Sequence, residues 1–315
     1  MRVLIVANHN PGYFSPFVLE QVESLKRIGV EFDFYGVEGK GIKGYLSNLG
    51  SLKKKIREYR PNLIHAHYGL SGLLANLQRM VPVVTTYHGS DIHSGGKNLF
   101  FSRAAIILSK QNIFVSKKLL SLSRYFGKNV SIIPCGIDTT TFQPKDKGEA
   151  RKELGWNETR KYILFGGSFD RDVKNPKLAL DSLALLENKY EQYKNNVELL
   201  ELKNYTRPQV ATLLSAVDCA LLTSHREGSP QIVKEALACG CPLVSVDVGD
   251  VTDVIKGVDG YVIVSPSTPE SVASALNDIL ERNTRTEGRK RIEDLSLSCE
   301  QIAQRIMKVY DAALR

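Results

Sequence analysis

The sequence predicts an α/β protein of two doubly wound domains, each a parallel sheet with helices on both faces. Three observations carry that expectation. The chain has 315 residues, more than a single hydrophobic core usually organises. Short apolar runs alternate with stretches of helical periodicity, the pattern of parallel strands joined by crossover helices. The alternation then restarts after a polar stretch, 143–160, which reads as the junction.

The elements follow in order. Residues 2–7 are a first apolar strand. Ser15 with Pro16 offers an N-cap and a proline at the first helical position, Val18, Val22, Leu25 and Ile28 recur at helical spacing, and Gly29 closes the element. A second strand spans 31–35. Leu46, Leu49, Leu52, Ile56 and Tyr59 mark a helix stopped by Pro61. Strands at 62–68 and 82–87 flank another helix, and 112–115 with 130–134 complete the half. In the second half, strands at 162–165, 197–202, 219–223 and 242–246 alternate with helices at 176–186, 208–217 and 231–238. Helical patterns fill the chain from Pro269 onward. The domains are set at 1–147 and 148–297, with a terminal helix at 298–315. In this architecture ligands gather at the carboxyl ends of the strands.

Composition narrows the function. At 43% hydrophobic and 24% charged the chain is ordinary globular protein. No apolar run approaches the roughly 18 residues of a membrane span, and 3–7 is too short for a signal-peptide core, so a cytoplasmic chain is expected. The five cysteines are an odd number and read as structural thiols; Cys239-Gly-Cys241 lacks the spacer of zinc and redox pairs. Against 34 Asp+Glu stand 42 Lys+Arg, a net charge of +8 that favours anionic partners. No nucleic-acid-binding pattern accompanies it, and nucleic acid is not expected as a partner.

The densest chemical cluster is 226–235, directly after the strand at 219–223. Ser229 reads as an N-cap and Pro230 as the first helical residue. With Gln231 they form a helix start whose free N–H groups can hold a phosphate. Carboxylates repel a phosphate, so Glu227 in the loop and Glu235 along the helix suit neutral hydroxyl donors, such as those of a sugar or a ribose. The competing reading makes Glu227 a first-turn helix charge and Glu235 a solvated one. After the strand at 162–165, Gly166 and Gly167 permit close backbone approach to a phosphate. Lys174 would neutralise a departing diphosphate, unless it and Arg171 simply belong to a solvated basic loop. His88 ends the strand at 82–87, and Gly12 occupies the first strand-to-helix turn. His65 and His67 point the same way from one strand. With no third ligand nearby they suit packing better than metal. Asp91 could serve an acceptor or cap the next segment.

Several segments, in chain order, resemble those of family 4 (group 1) retaining glycosyltransferases. They are Pro61-Asn62-Leu63-Ile64-His65-Ala66-His67, Thr86-Tyr87-His88-Gly89-Ser90-Asp91, and Ile133-Pro134-Cys135-Gly136-Ile137-Asp138 with Phe142-x-Pro144. Then come Ala216-Val217-Asp218 leading to Glu227, and Glu227-x7-Glu235 running on through Gly240 and Pro242. Together they cover most of the chain. The resemblance implies the GT-B fold, two Rossmann-like domains facing across a cleft. The amino-terminal domain would be on the acceptor side and the carboxyl-terminal domain on the nucleotide-sugar donor side, with the last helix crossing back.

It implies retaining transfer of a hexose-type sugar from a nucleoside-diphosphate-sugar to a glycan or lipid-linked hydroxyl acceptor, in surface polysaccharide or glycolipid synthesis. No metal and no cofactor beyond that donor is implied, and no Asp-x-Asp is present. Carried over, Glu227 holds the donor sugar, Glu235 the ribose and Lys174 the diphosphate, while His88 faces the sugar. The chain departs from the family in four places. Ser168 occupies the arginine position, with Arg171 as a substitute. Gly12 stands where a glycine pair is usual, and Cys135 replaces an asparagine. The stretch 197–210 lacks a glycine-rich loop. The basic runs Lys53-Lys54-Lys55 and Lys117-Lys118 with Arg124 and Lys128 suit peripheral contact with the anionic inner face of a membrane. A nucleotide-sugar epimerase or phosphorylase of the same fold, or a non-catalytic nucleotide-binding scaffold, remain as alternatives.

Overall fold

The computed structural model describes residues 1–10, 12–93 and 95–315. Eleven strands form two sheets among them. The first contains β1 (Arg2–Asn8), β2 (Glu31–Val37), β3 (Leu63–His67), β4 (Val83–Tyr87), β5 (Gln111–Phe114) and β6 (Val130–Ile132), in the order β2-β1-β3-β4-β5-β6. The second contains β7 (Lys161–Phe165), β8 (Val197–Glu201), β9 (Cys219–Leu222), β10 (Leu243–Val246) and β11 (Tyr261–Val264), in the order β11-β10-β9-β7-β8. Every pairing is parallel.

Period-two alternation explains the layering of the first sheet. Val3 and Ile5 point to one face, where they join Val18, Val22 and Leu25 of helix Pro16–Arg27 and Ile302, Ile306 and Tyr310 of helix Cys299–Leu314. Leu4 and Val6 point to the other, with Leu52 and Ile56 of helix Leu49–Tyr59 and Leu74 of helix Gly69–Leu77. Both faces are therefore apolar, as a covered parallel sheet requires. The second sheet has its own core, built around Ile163, Phe165, Leu221, Val233, Leu237, Val244 and Leu276.

Two compact units result, Met1–Gly136 with Cys299–Arg315, and Ile137–Ser298. The division falls at Gly136/Ile137, ahead of the boundary at 147 drawn from the sequence. Ile137 and Phe142 are fully buried in the second unit's core, and the Ile137 amide donates to Leu297 O at 2.9 Å. The stretch 143–160 is not a linker either. It contains helix Lys147–Leu154, capped by the Asp146 side chain on the Glu149 N–H and ended by Gly155 at φ 68°. Its Arg151 is 4% exposed, and Nη2 lies 2.7 Å from Asp218 Oδ2. A polar composition read as a junction hides a buried ion pair.

Two further elements differ from expectation. Strand β11 was not read from the sequence, being four residues between Gly260 and Pro266. The helix read over 46–59 is two, Gly41–Leu46 and Leu49–Tyr59, because Asn48 Nδ2 donates to Gly44 O at 2.7 Å and breaks the run. Among the described residues no helix is long and apolar enough to cross a membrane.

Candidate functional site

In the second unit, β7 ends at Phe165 and leads into Gly166 and Gly167. A Cβ on Gly167 would meet Lys174 Cγ at 2.6 Å, so the lysine stem occupies the space a side chain would need. Lys174 closes a short turn, Asp172–Lys174, and Asn175 follows at φ 54° with its side chain capping helix Pro176–Lys189. The loop after β9 is laced to this turn. Thr223 Oγ1 lies 3.1 Å from Lys174 O and 3.0 Å from Asn175 O, and the His225 amide donates to Val173 O at 3.0 Å. These bonds set Lys174 Nζ 2.6 Å from Glu227 Oε1, which also accepts from Ser224 Oγ at 2.7 Å. The two charged side chains are 16% and 17% exposed, shielded yet reachable.

Glu235 lies one turn into helix Gln231–Ala238 and is 3% exposed as a side chain. Arg207 Nη1 pairs with it at 2.6 Å, and that guanidinium lies 4.5 Å over the Phe142 ring. A solvated Glu235 is thereby excluded. Glu227 is not a first-turn helix charge, since it precedes the helix and is spoken for by Lys174.

Ser229 departs from its expected role as N-cap. Its hydroxyl donates to Asp250 Oδ2 at 2.6 Å and accepts from Lys234 Nζ at 2.7 Å, and it does not hold the N-cap position. Pro230 is the capping position and Gln231 the first helical residue, one later than read. Lys234 is fully buried and reaches Gln231 Oε1 at 3.0 Å as well. Burial raises the Asp250 carboxyl above its ordinary value, against the lowering pull of Lys234.

Ser168 is buried and donates to Asp170, whose other oxygen accepts from Lys203 Nζ at 2.9 Å. The Ser168 and Lys203 bonds hold Asp170 below the usual carboxylate range. Arg171 is exposed, and its amide closes the turn onto Ser168 O at 3.2 Å. Lys203, Arg207, Ser224 and Lys234 were not read from the sequence. Lys203 and Arg207 act through partners distant in the chain, while Ser224 and Lys234 have local partners three residues away, Glu227 in the loop and Gln231 in the helix.

In the first unit, His88 follows β4, and its Nε2 lies 3.0 Å from Nδ1 of His67 at the end of β3. His65, His67 and His88 stack in series, with ring centroids 4.5 Å and 5.3 Å apart. Both nitrogens of His65 are engaged, Nδ1 with Tyr310 Oη and Nε2 with Thr86 Oγ1, each at 2.7 Å. No group of three His, Cys, Asp or Glu residues suited to a metal ion exists among the described residues. Asp91 accepts the amides of Gly89 at 2.8 Å and Gly69 at 3.2 Å, which makes it an organiser of two loops; burial pushes its carboxyl up to about 6. It also borders a cavity of about 350 Å³ shared with Asn8, Ser15, Tyr68 and Ser90. Gly12 takes φ 81° and its amide bonds His9 O at 2.8 Å, a turn conformation that favours glycine.

Two sequence families match in tandem. Glycosyltransferase Family 4 matches residues 2–141, and Glycosyl transferases group 1 matches residues 160–282. The chain belongs to the family 4, group 1 glycosyltransferases, with the GT-B fold. A glycosyltransferase of Bacillus subtilis named for teichuronic acid biosynthesis, TuaC, is 28% identical over 70% of this chain and 62% of its own length. The D-inositol 3-phosphate glycosyltransferase of Geodermatophilus obscurus is 25% identical over 80% of this chain and 66% of its own. The chain thus spans just under two-thirds of these relatives. Sucrose-phosphate synthase of Thermosynechococcus elongatus superposes with a TM-score of 0.82 at 19% identity, covering 98% of both chains. Anabaena Alr3699/HepE in complex with UDP superposes with 0.77 at 16% identity, covering 99% of this chain and 100% of that one.

Proposed function

We propose that the chain transfers a hexose-type sugar, with retained configuration, from a nucleoside-diphosphate-sugar to a hydroxyl acceptor in glycan or glycolipid synthesis, using no metal. The observation that carries this reading is the Lys174–Glu227 pair at the carboxyl ends of β7 and β9, 2.6 Å apart and partly accessible. A diphosphate can draw the ammonium, leaving the carboxylate to accept sugar hydroxyls and to stabilise positive charge developing on the ring. Arg207 and Glu235 form the second station, where a buried carboxylate can accept both ribose hydroxyls. Arg171 and Lys203 are the cations at hand in place of the family arginine, Gly167 allows close approach, and Ser229, Pro230 and Gln231 shape the helix start. Gly12 and His88 are the first unit's residues in this reading.

A nucleotide-sugar as ligand agrees with HepE, solved with UDP and with UDP-glucose. A surface-glycan role agrees with TuaC by its name. Contact with anionic lipid is supported by Leu122 and Phe126, exposed at 44% and 93% among Lys117, Lys118, Arg124 and Lys128. The deciding experiment is a thermal-shift panel of UDP-, GDP-, ADP- and TDP-glucose, followed by product analysis with lipid and glycan extracts. A donor at about 100 times its Kd should add about 2.7 kcal/mol of stability. A flat response to all four, with no turnover, refutes the reading.

A further inference from the structure

The histidine stack contains one unsatisfied atom, Nε2 of His67, which is buried and has no hydrogen-bonding partner. We infer that His67 is a positioning residue which donates from Nδ1 to His88 Nε2, and so holds His88 as the neutral tautomer with its proton on Nδ1. The inference deepens the reading of His88 as a group facing the donor sugar and rests on it.

His67 is fully buried, and burial lowers its pKa to about 3, so it carries a single N–H. That proton has two places to sit. On Nε2 it would be a buried donor with no acceptor, which is the rarer defect in folded proteins. On Nδ1 it meets His88 Nε2 at 3.0 Å. The contact admits one proton only, so His88 Nε2 must be the acceptor, and a neutral His88 keeps its own proton on Nδ1. That nitrogen lies 3.7 Å from Cys135 Sγ, a weak acceptor that an incoming sugar oxygen can outcompete. The other side of the stack is locked. Tyr310 Oη occupies His65 Nδ1 and Thr86 Oγ1 occupies His65 Nε2, so His65 has nothing to exchange with His67.

A consequence separates this arrangement from a proton relay. Protonating His88 at Nε2 would force the His67 proton round to its partnerless Nε2. His88 is therefore a fixed hydrogen-bond donor rather than a proton shuttle.

Imidazole 15N NMR of the full chain tests it, with His88 assigned through loss of its signals in His88→Ala. The expected result is a pyrrole-type Nδ1 and a pyridine-type Nε2 on His88, and a pyrrole-type Nδ1 on His67. A His88 carrying its proton on Nε2, an imidazolium, or an exchange-averaged ring at neutral pH overturns the inference. In His67→Phe the His88 tautomers should average, and in His67→Asn, whose amide N–H can replace Nδ1–H, the single tautomer should return. Failure of the asparagine rescue in a folded variant also counts against it. Turnover with the best of the four glucose donors should fall about 10-fold in His67→Phe and recover in His67→Asn. If the tautomer and its rescue hold but His88→Ala leaves turnover intact, the placement of His88 at the sugar is what fails. If His88→Ala abolishes turnover while the tautomers are mixed, the positioning role is what fails.

Discussion

Lys174 Nζ and Glu227 Oε1 are 2.6 Å apart, and the two residues belong to loops stitched together by Thr223 and His225. On the proposed function, each charge stands in for what the other would meet in a bound donor: the carboxylate for a phosphate, the ammonium for the positive ring. Donor binding is then expected to divide the pair. Lys174→Ala should weaken donor binding and lower kcat by about 100-fold, by loss of a fixed cation and exposure of the pyrophosphate to an unneutralised Glu227. Glu227→Gln should lower kcat with little change in nucleoside-diphosphate affinity. Steady-state kinetics and calorimetry with the nucleoside diphosphate check both; equal effects on binding from the two variants would contradict the division of labour.

Arg207→Ala should destabilise the fold by about 3 kcal/mol, because it strands a carboxylate that is only 3% exposed. The double variant Arg207→Ala with Glu235→Gln should recover much of that stability while still binding ribonucleotides poorly. Urea unfolding of the four-member cycle measures the coupling directly.

Asp91 and His67 make opposite contributions to acid stability. The Asp91 carboxyl is pushed up to about 6 in the fold from 3.8, so the folded chain holds that proton longer than the unfolded one. Its contribution is largest below about pH 4 and declines as pH rises to 6, by about 3 kcal/mol at 1.36 kcal/mol per unit. His67, lowered to about 3 from 6.5, favours the fold above 6.5 and withdraws that support as pH falls. Relative to wild type, Asp91→Asn should gain stability between pH 4 and 6, and His67→Asn should lose less as pH falls below 6. Unfolding free energies at five pH values settle each sign.

Of the five thiols, Cys135 alone is partly exposed. Burial raises the thiol pKa of Cys219, Cys239 and Cys241, which slows their chemistry further. Ellman's reagent should titrate about one thiol in the native chain and five in denaturant. Cys135→Ser should remove the native reaction.

The sheets were legible because their strands bury both faces. A run such as Val3–Leu4–Ile5–Val6 leaves no polar face to confuse with a surface helix. The acidic pair was legible too, since Glu227 and Glu235 keep a spacing set by one loop and one helical turn. What stayed hidden involves charged side chains satisfied from afar. Arg151 looks like a solvated linker residue until Asp218, 67 positions later, is folded against it. Arg207 and Lys203 were invisible for the same reason. The histidine stack needed the register of β3 against β4, His67↔Thr86, before His67 and His88 could be seen as neighbours.

Helix Cys299–Leu314 fills the face of the first sheet opened by Val3 and Ile5, with Tyr310 seated on His65. The segment that completes the earliest core thus follows the whole second unit in chain order. During synthesis the first 136 residues wait with one apolar face uncovered, while 137–298 form a contiguous unit able to close on itself. The amino-terminal half is accordingly the portion that waits on a segment from beyond the second unit, and docking of helix Cys299–Leu314 is the event that ends its exposure.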